Sequence, residues 1–539
     1  MANKNIRSLS YRKGLDDNLF ENISELAQNK AGQQEYHKLA ERFMIDDSVV
    51  LGTSSFYDFL KPENQAKKVF VCNGTACMVA GTQDALVGNL GNIMDTSEIG
   101  EVPCLGHCHE NHAFLYDDKT YSAKTSNDLE HIINSKAYQE HRYAVGCNSE
   151  PILTAAIKNV TTFYGLADRF KNDPERIIEE LKRSNLRGRG GAGFPFYFKL
   201  DAVFKEPKGQ KYVVCNADEG DPGAYSDMYL MEHQPHKVLF GMYMTGLTVG
   251  ADTGVLYIRG EYPESIRKVK AAIDELNKLK LLNGFRFKII RGQGAYVCGE
   301  ETALLNSIEG LRPEVRVRPP YPAQYGLYGK PTVLSNVETF ANIHWIIENG
   351  GEKYASLGKG KSTGTKLVSL DGYFNRPGIY EIEMGTPLKT VFDEHGKGFK
   401  RDIKAVQVGG PLGGIVPKQK FEDLSLDFES FASSGFLLGH ASVVSIPDHF
   451  PMVKYLEHLL QFTSHESCGK CYPCRIGSHR GYEMLQKAQK DDYKIDRQLF
   501  DDLIETLEIG SLCALGGGIP LPVKNALHYF DEELKKYFK

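Results

Sequence analysis

The chain has 539 residues, of which 41% are hydrophobic and 25% charged, and its formal net charge is -5. A chain of this length exceeds what one hydrophobic core organises, so about three to five domains are expected. No apolar run reaches the roughly 18 residues of a transmembrane helix, and the mild negative charge offers nucleic acid no basic patch. The composition therefore argues against direct membrane insertion and against nucleic acid as a partner.

The first fourteen residues contain four basic side chains and no acidic one. This pattern is compatible with a weak organellar presequence, but a solvated basic start is the preferred interpretation. Because no apolar signal segment follows, we expect a cytoplasmic protein. Its eleven cysteines are then expected to be metal ligands or buried thiols, not disulfides.

Hydrophobic periodicity divides the chain into five segments of a multidomain α/β protein. Helical spacing dominates the first segment, and a small α/β unit follows. The third and largest alternates strands with helices, as in a sheet covered by helices. Short β-like runs between Gly and Pro turns characterise the fourth, and the last returns to helical spacing. The predicted boundaries are 1–66, 67–137, 145–345, 365–440 and 441–539.

Four cysteines at loop-like positions form two pairs, Cys72 with Cys77 (C-x4-C) and Cys104 with Cys108 (C-x3-C). Four thiolates can bind a [2Fe–2S] cluster, in which each iron takes two protein sulfurs. A structural zinc site is the less favoured alternative, because both pairs would have to depart from the usual zinc knuckles. Buried structural thiols are a weaker alternative still.

A second group of cysteines lies near the C-terminus. The segment ESCGKCYPCR places Cys468, Cys471 and Cys474 at C-x2-C-x2-C spacing, and Cys513 follows in SLCALG. Three closely spaced thiolates with one distant cysteine are typical of a [4Fe–4S] cubane, whereas zinc sites usually pair two knuckles. The sequence therefore predicts a [4Fe–4S] cluster in the last segment.

The segment LRGRGGAGFP holds Gly188, Gly190 and Gly193 in G-x-G-x-x-G register. Because a helical stretch and not a strand precedes it, a standard Rossmann fingerprint is not indicated. Backbone N–H groups of such a loop, with the charges of Arg187 and Arg189, still suit a phosphate or a flat cofactor.

Two further motifs, VVCNADEGDPGAY and GAYVCGEETAL, place polar groups where predicted strands end. Ligands of open α/β sheets bind at the carboxyl ends of strands. Dense carboxylates would repel an anion, so we expect them to serve ribose hydroxyls, flavin N–H groups or the nicotinamide amide. The residues singled out here are Lys199, Asn216, Asp218, Glu219, Asp221, Tyr296, Gly299, Glu300 and Glu301.

Hydride chemistry explains why such parts occur together. NADH gives up two electrons at once, whereas iron–sulfur clusters accept one at a time, so a flavin must stand between them. Two cluster motifs and a nucleotide site therefore imply FMN acting on NAD(H).

These motifs occur, in the same order, in a known family. The chain resembles the NADH-oxidising flavoprotein subunit of respiratory complex I and its soluble relatives over about residues 145–539. The part from SSFYDFL through both cysteine pairs resembles the small thioredoxin-like [2Fe–2S] subunit of the same complexes. The resemblance implies a thioredoxin-like domain, a Rossmann-like FMN/NADH domain, a ubiquitin-like β-rich domain and a helical bundle with the [4Fe–4S] cluster.

The resemblance also assigns contacts by position. FMN contacts are implied for Gly188, Gly190, Lys199, Asn216, Asp218, Tyr296, Gly299, Glu300 and Asn336. NAD(H) contacts are implied for Phe194, Asp221, Glu301, Arg318 and Tyr321, with Glu301 and Asp221 in the catalytic positions. The segment FPFYFKL departs from the small residues of the family's FPTGLKW, so no contact is carried over to it beyond Phe194 and Lys199.

Among relatives, the fusion of both modules and the DEGDPGAY form resemble soluble NAD-dependent formate dehydrogenases and NAD-reducing or bifurcating hydrogenases. The favoured function is the diaphorase subunit of an NAD-dependent formate dehydrogenase, with a large molybdopterin subunit as catalytic partner and a small thioredoxin-like [2Fe–2S] subunit beside it. A hydrogenase diaphorase and the NADH-oxidising subunit of complex I are the alternatives. A zinc-bound scaffold without redox activity is the alternative from another class.

Overall fold

The structure, a computed structural model, describes residues 14–136, 142–490 and 492–539. Residues 1–13 of the predicted first segment and residue 137 at the end of the second lie outside the described residues. The predicted multidomain α/β class is confirmed. The first segment forms three helices, α1 (Leu19–Gln28), α2 (Gln33–Arg42) and α3 (Asp47–Ser54).

The second segment is a small sheet with helices. Its elements are β1 (Val69–Cys72), α4 (Thr75–Ala80), α5 (Gln83–Gly91), β2 (Ile99–Val102), β3 (Ala113–Tyr116), β4 (Lys119–Ser122) and α6 (Ser126–Ser135). The strand order is β2-β1-β3-β4, with β1 parallel to β2 and antiparallel to β3. The cysteines of the first set therefore lie at the ends of two neighbouring parallel strands, β1 and β2.

The chain then forms β5 (Ala144–Cys147) and the largest domain. Its helices are α7 (Val160–Gly165), α8 (Pro174–Ser184), α9 (Phe196–Lys205), α10 (Ser226–His233), α11 (Pro235–Val249), α12 (Pro263–Leu279), α13 (Glu301–Ile308), α14 (Pro322–Tyr325), α15 (Val337–Asn349) and α16 (Gly351–Ala355). Its strands are β6 (Tyr212–Ala217), β7 (Thr253–Ile258), β8 (Arg286–Arg291) and β9 (Thr332–Asn336). They form one parallel sheet, and β7 is buried along its whole length, as expected for strands covered on both faces.

The strand order of this sheet, β8-β7-β6-β9, positions a ligand site. The chain runs from β6 outward through β7 to β8 and then returns to add β9 on the other side of β6. In an open parallel sheet, ligands bind in the crevice at the carboxyl ends of the strands where the order reverses. That crevice lies between the ends of β6 and β9.

The β-rich domain is larger than its predicted range of 365–440. Its elements are β10 (Gly358–Lys359), β11 (Ser362–Thr363), β12 (Thr365–Leu370), β13 (Gly378–Glu383), α17 (Leu388–Thr390), β14 (Ile403–Val408), β15 (Gly414–Pro417), α18 (Phe428–Ser433) and β16 (Ser442–Pro447). The main sheet runs β15-β14-β16-β12-β13-β5. Both β5 and β16 therefore belong here, although the sequence assigned β5 to the 145–345 domain and β16 to the 441–539 segment. Such pairing between distant segments leaves no mark on local periodicity.

The last segment is helical, as predicted. It contains α19 (Met452–His465), α20 (Ser478–Lys490), α21 (Arg497–Gly510), α22 (Ala514–Gly518), α23 (Pro520–Tyr529) and α24 (Asp531–Leu534). Leucine and isoleucine side chains of α19, α20 and α21 form its core. Among the described residues, no helix is both long and apolar enough to cross a membrane.

Glu232, near the end of α10, provides a test of the packing against α12. Burial raises the pKa of this carboxyl to about 7, although Ser265 Oγ donates to it at 3.0 Å, and the charge of Glu264 adds to the increase. In the unfolded chain a glutamate titrates near pH 4.3, so native-state stability is lost as pH rises through about 7. We expect Glu232→Gln to stabilise the protein by about 2 kcal/mol at pH 8 and to have little effect at pH 4.

Urea unfolding of both proteins at the two pH values measures this difference. Glu175→Gln, at an exposed position of α8, is the control and should change neither curve. Equal stability of Glu232→Gln and the native protein at pH 8 would show that the Glu232 carboxyl is not destabilised by burial.

Candidate functional site

The glycine-rich segment forms a tight loop between α8 and α9, pressed against the end of β9. The Gly188 N–H donates to the Phe194 carbonyl at 2.8 Å and closes the loop. A Cβ atom added to Gly190 would lie 3.0 Å from the Asn336 Cβ, so only glycine allows this approach. The loop therefore brings backbone to the mouth of the crevice, as a flat cofactor requires.

The two arginines of this loop do not serve the role expected of them. Arg187 donates to the Gly193 carbonyl at 2.6 Å and pairs with Glu429. Arg189 is fully buried and donates to the Thr363 carbonyl at 2.6 Å. The expectation that both charges face a phosphate is wrong, because both guanidinium groups hold the loop to the β-rich domain.

Two asparagines face each other at the point where the strand order reverses. Asn216 at the end of β6 is in register with Asn336 at the end of β9. Asn216 Nδ2 donates to the Gly299 carbonyl at 2.8 Å, and Asn336 Nδ2 donates to Asp227 at 2.6 Å. Both asparagines were predicted FMN contacts, and the fold brings them together with Gly190 and Gly299.

Asp218, directly after β6, carries a polar atom that needs a partner. Its carboxyl is buried, and Oδ2 has no hydrogen-bond partner among the described residues. Burial holds the pKa of Asp218 well above its usual range, and Arg259 only partly offsets this. A ligand N–H group would satisfy Oδ2, and the isoalloxazine ring of a flavin offers such a group. The residues of the crevice therefore fit FMN.

Glu219 and Glu300 have structural roles at helix starts. Glu219 accepts hydrogen bonds from the backbone of Asp227 and Met228 at 2.9 and 3.0 Å. Glu300 caps α13 by accepting from Thr302 and Ala303, both at 2.9 Å. Carboxylates at helix N-termini are stabilised by the unpaired N–H groups there. A contact of either glutamate with FMN stays a prediction.

Tyr296 connects the crevice to the helical bundle. Its hydroxyl donates to Asp221 at 2.6 Å, and its backbone N–H donates to Glu466 at 2.8 Å. Its ring packs edge-on against Phe462 at 4.9 Å. Burial raises the pKa of Asp221 to about 6, although the Tyr296 hydrogen bond opposes the shift. Asp221 and Tyr296 thus form a polar pair between the strand ends and the C-terminal cysteines.

A charged network lies at the outer side of the crevice. Glu301 accepts from Lys199 at 2.9 Å and from Arg318 at 2.8 Å. Burial alone would raise the pKa of Glu301, but Lys199 and then Arg318 outweigh it, and the pKa lies below its ordinary value. The exposed rings of Phe194 and Tyr321 are 49% and 53% accessible. This combination suits the ribose hydroxyls and the base of a dinucleotide.

The first cysteine set converges on one point. The Cys72 thiol interacts with those of Cys77 and Cys104, and Cys104 Sγ lies 3.8 Å from Cys108 Sγ. All four are buried. The Gly106 N–H donates to Cys104 Sγ at 3.4 Å, a hydrogen bond of the kind that tunes cluster potentials. This all-sulfur donor set fits a [2Fe–2S] cluster.

The second set also converges. Burial raises the pKa of Cys474 to about 12, and the sulfurs of Cys471, Cys513 and Cys468 add to the shift. A Cβ on Gly516 would lie 2.7 Å from the Cys474 Cβ, so the helix that follows Cys513 closes tightly on the loop. Four clustered thiols become thiolates only when a metal centre neutralises them, which fits a [4Fe–4S] cluster.

The crevice lies between the two cysteine sets, an arrangement that the sequence did not reveal. Tyr296 packs in one apolar cluster with Cys471, Cys474 and Cys513. On the other side, the Gly223 N–H donates to Cys108 Sγ at 3.2 Å. Arg259 at the end of β7 donates to the Cys104 carbonyl at 2.7 Å. Sequence analysis missed Gly223 and Arg259, whose only signal is a position just after a strand.

Gly190→Ala tests the close approach of the loop. Because the new Cβ must displace Asn336, we expect flavin affinity to fall about tenfold or more while the chain stays folded. Flavin released on dilution, followed by fluorescence, measures the affinity. Gly52→Ala is the control, since a Cβ there meets open space. Unchanged flavin affinity in Gly190→Ala would mean that the loop does not contact the cofactor.

Comparisons with known proteins agree with this site. Residues 181–345 match the family model of the Nuo51 FMN-binding domain, and residues 454–537 match that of the NADH-ubiquinone oxidoreductase-F iron–sulfur binding region. Residues 22–137 match the thioredoxin-like [2Fe–2S] ferredoxin model, so the N-terminal helices share one family match with the first cysteine set. The chain is thus an iron–sulfur flavoprotein that carries FMN, a [2Fe–2S] and a [4Fe–4S] cluster.

Similarity to individual proteins narrows the family. An F-type NADH-quinone oxidoreductase subunit of Rhizobium meliloti is 41% identical over 371 residues, 67% of this chain and 88% of that protein. The NADP-reducing hydrogenase subunit HndC of Solidesulfovibrio fructosivorans is 41% identical over 386 residues, 70% of this chain and 78% of its own length. The chain belongs to the family of F-type NADH-quinone oxidoreductase subunits and their hydrogenase relatives.

One solved structure matches nearly the whole chain. The crystal structure of an NAD+-reducing [NiFe]-hydrogenase in the air-oxidized state covers 98% of this chain with a TM-score of 0.87 and 27% identity, and 94% of that chain is covered. The predicted resemblance, fold class and cofactors are confirmed by these matches. The chain is an NADH-dehydrogenase-type electron-transfer subunit.

Proposed function

We propose that the chain is the diaphorase subunit of a hydrogenase-type complex. It exchanges hydride with NAD(H) at FMN and relays single electrons through its clusters to or from a catalytic partner. One observation carries this proposal: a single crevice contacts both cysteine sets, through Tyr296 on one side and Gly223 on the other. Bound FMN supplies the change from two-electron to one-electron transfer.

The side chains of the crevice have distinct proposed roles. Oxidation of NADH to NAD+ releases two electrons and one proton, so the site must orient the dinucleotide and keep the flavin ring fixed. Glu301, held by Lys199 and Arg318, binds ribose hydroxyls of the substrate. Asp218 holds the flavin ring through a ligand N–H group, and Asp221 lies toward the cluster side, bonded to Tyr296.

The class of catalytic partner is part of the proposal. The sequence favoured a formate dehydrogenase because both modules are fused, but the hydrogenase match covers both modules as well. Fusion therefore does not separate the two classes, and two hydrogenase relatives support a hydrogenase partner. A formate dehydrogenase partner, a small thioredoxin-like partner subunit and a cytoplasmic location stay predictions.

Anaerobic affinity purification of the native complex tests the partner. Mass spectrometry of the co-purified subunits and metal analysis for nickel, molybdenum and tungsten identify its chemistry. We expect a hydrogenase subunit, either containing nickel or containing iron only. Molybdenum or tungsten with a large pterin-binding subunit would contradict the hydrogenase assignment and return the complex to formate chemistry.

A further inference from the structure

An aromatic side chain without an assigned role stands at the mouth of the crevice. Phe198 in α9 is 51% exposed, and the ring of Tyr197 stacks on it at 4.4 Å with an interplanar angle of 28°. Phe194 lies 6.1 Å from Phe198, between ring centroids. These three rings form a ledge on the surface, which we call the aromatic ledge.

The packing of α9 does not account for this exposure. The helix buries Phe196, Leu200 and Val203, which recur at helical spacing and form its core face. Phe198 points away from that face, so it adds nothing to the core while leaving a large apolar ring in water. Exposed aromatic groups that lie together on a surface commonly mark a binding site.

The chemistry next to the ledge identifies its ligand. Lys199 follows Phe198 directly and pairs with Glu301, which also accepts from Arg318. Tyr321, 53% exposed, belongs to the same rim as Arg318. A ligand that meets this network with polar hydroxyls and the ledge with a flat face is a nucleoside.

We propose that Phe198, supported by Tyr197, is the stacking platform for the adenine base of NAD(H). The inference rests on the proposed NAD(H) site and adds a residue that determines substrate affinity. Tyr197 fixes the ring from behind, so little side-chain entropy is lost when the base stacks on the free face. Stacking of a base on an aromatic ring contributes about 1–3 kcal/mol, which corresponds to roughly a tenfold change in affinity.

Phe198→Ala tests the proposal with substrates that differ only in the base. The KM for NADH should rise about tenfold with kcat unchanged, because the ledge lies outside the hydride-transfer centre. Reduced nicotinamide mononucleotide, which lacks adenine, should keep its native kcat/KM. ADP-ribose binding, measured by calorimetry without turnover, should weaken about tenfold. Phe198→Trp should restore both NADH and ADP-ribose binding.

Leu279→Ala, at a 42% exposed apolar position in α12, is the matched control and should change none of these values. An equal loss with NADH and with reduced nicotinamide mononucleotide would overturn the proposal, since Phe198 would then support the flavin site instead. Native ADP-ribose affinity in Phe198→Ala would overturn it as well. Failure of the unmutated protein to bind ADP-ribose or oxidise either substrate would instead refute the proposed function.

Discussion

Replacing Cys471 by alanine is expected to remove the C-terminal cluster and to lower NADH-driven reduction of the catalytic partner by about a hundredfold or more. Cys471 belongs to the set that includes Cys468, Cys474 and Cys513, and one iron of a cubane loses its protein ligand without it. The surrounding surface fits an exit point for electrons. Tyr472 and Ile509 beside the cysteine loop are 75% and 76% exposed, which is unusual for large apolar side chains.

Iron analysis and reduction of ferricyanide separate the outcomes for Cys471→Ala. We expect about four fewer irons per chain, with flavin content and NADH-dependent ferricyanide reduction retained. Cys147→Ser, a half-buried cysteine outside both sets, is the control and should keep all of its iron. Unchanged iron content in Cys471→Ala would remove this residue from the cluster.

Glu301→Gln is expected to lower kcat/KM for NADH by about ten- to a hundredfold while flavin stays bound. The native carboxylate bridges Lys199 and Arg318, and the amide cannot pair with both cations. Lys199 and Arg318 keep the pKa of Glu301 below its ordinary value, so the loss should be the same from pH 6 to pH 9.

Steady-state NADH oxidation with ferricyanide, across this pH range, measures the Glu301 effect. Glu314→Gln removes an exposed carboxylate beside Arg312 and should leave the kinetics unchanged. A Glu301→Gln protein with native NADH kinetics would place the substrate elsewhere in the crevice.

The cluster ligands could be predicted from sequence because metal ligation depends on short spacings. The C-x2-C-x2-C run with Cys513 and the two pairs ending at Cys108 carry their chemistry in local order, and both family matches agree with it. The glycine loop was found for the same reason. Its neighbours Arg187 and Arg189 were misassigned, because which way a side chain points depends on tertiary contacts with Thr363 and Glu429.

Features that depend on distant pairing could not be read from the sequence. The β5 strand joins β13 more than two hundred residues later, and Glu381 of β13 binds the backbone N–H groups of Ile152 and Leu153. The reversal of strand order between β6 and β9 also required the folded sheet. Glu300 was an exception, since a glutamate just before a helix is a recognisable capping signal.

The central claim is that one crevice passes electrons from NADH to both clusters. The most direct measurement is anaerobic titration of the purified chain with NADH, followed by visible absorbance and low-temperature EPR. We predict bleaching of the flavin band together with EPR signals from reduced iron–sulfur centres. Full occupancy of FMN and iron with no bleaching, or bleaching without any cluster signal during NADH addition, would contradict the account.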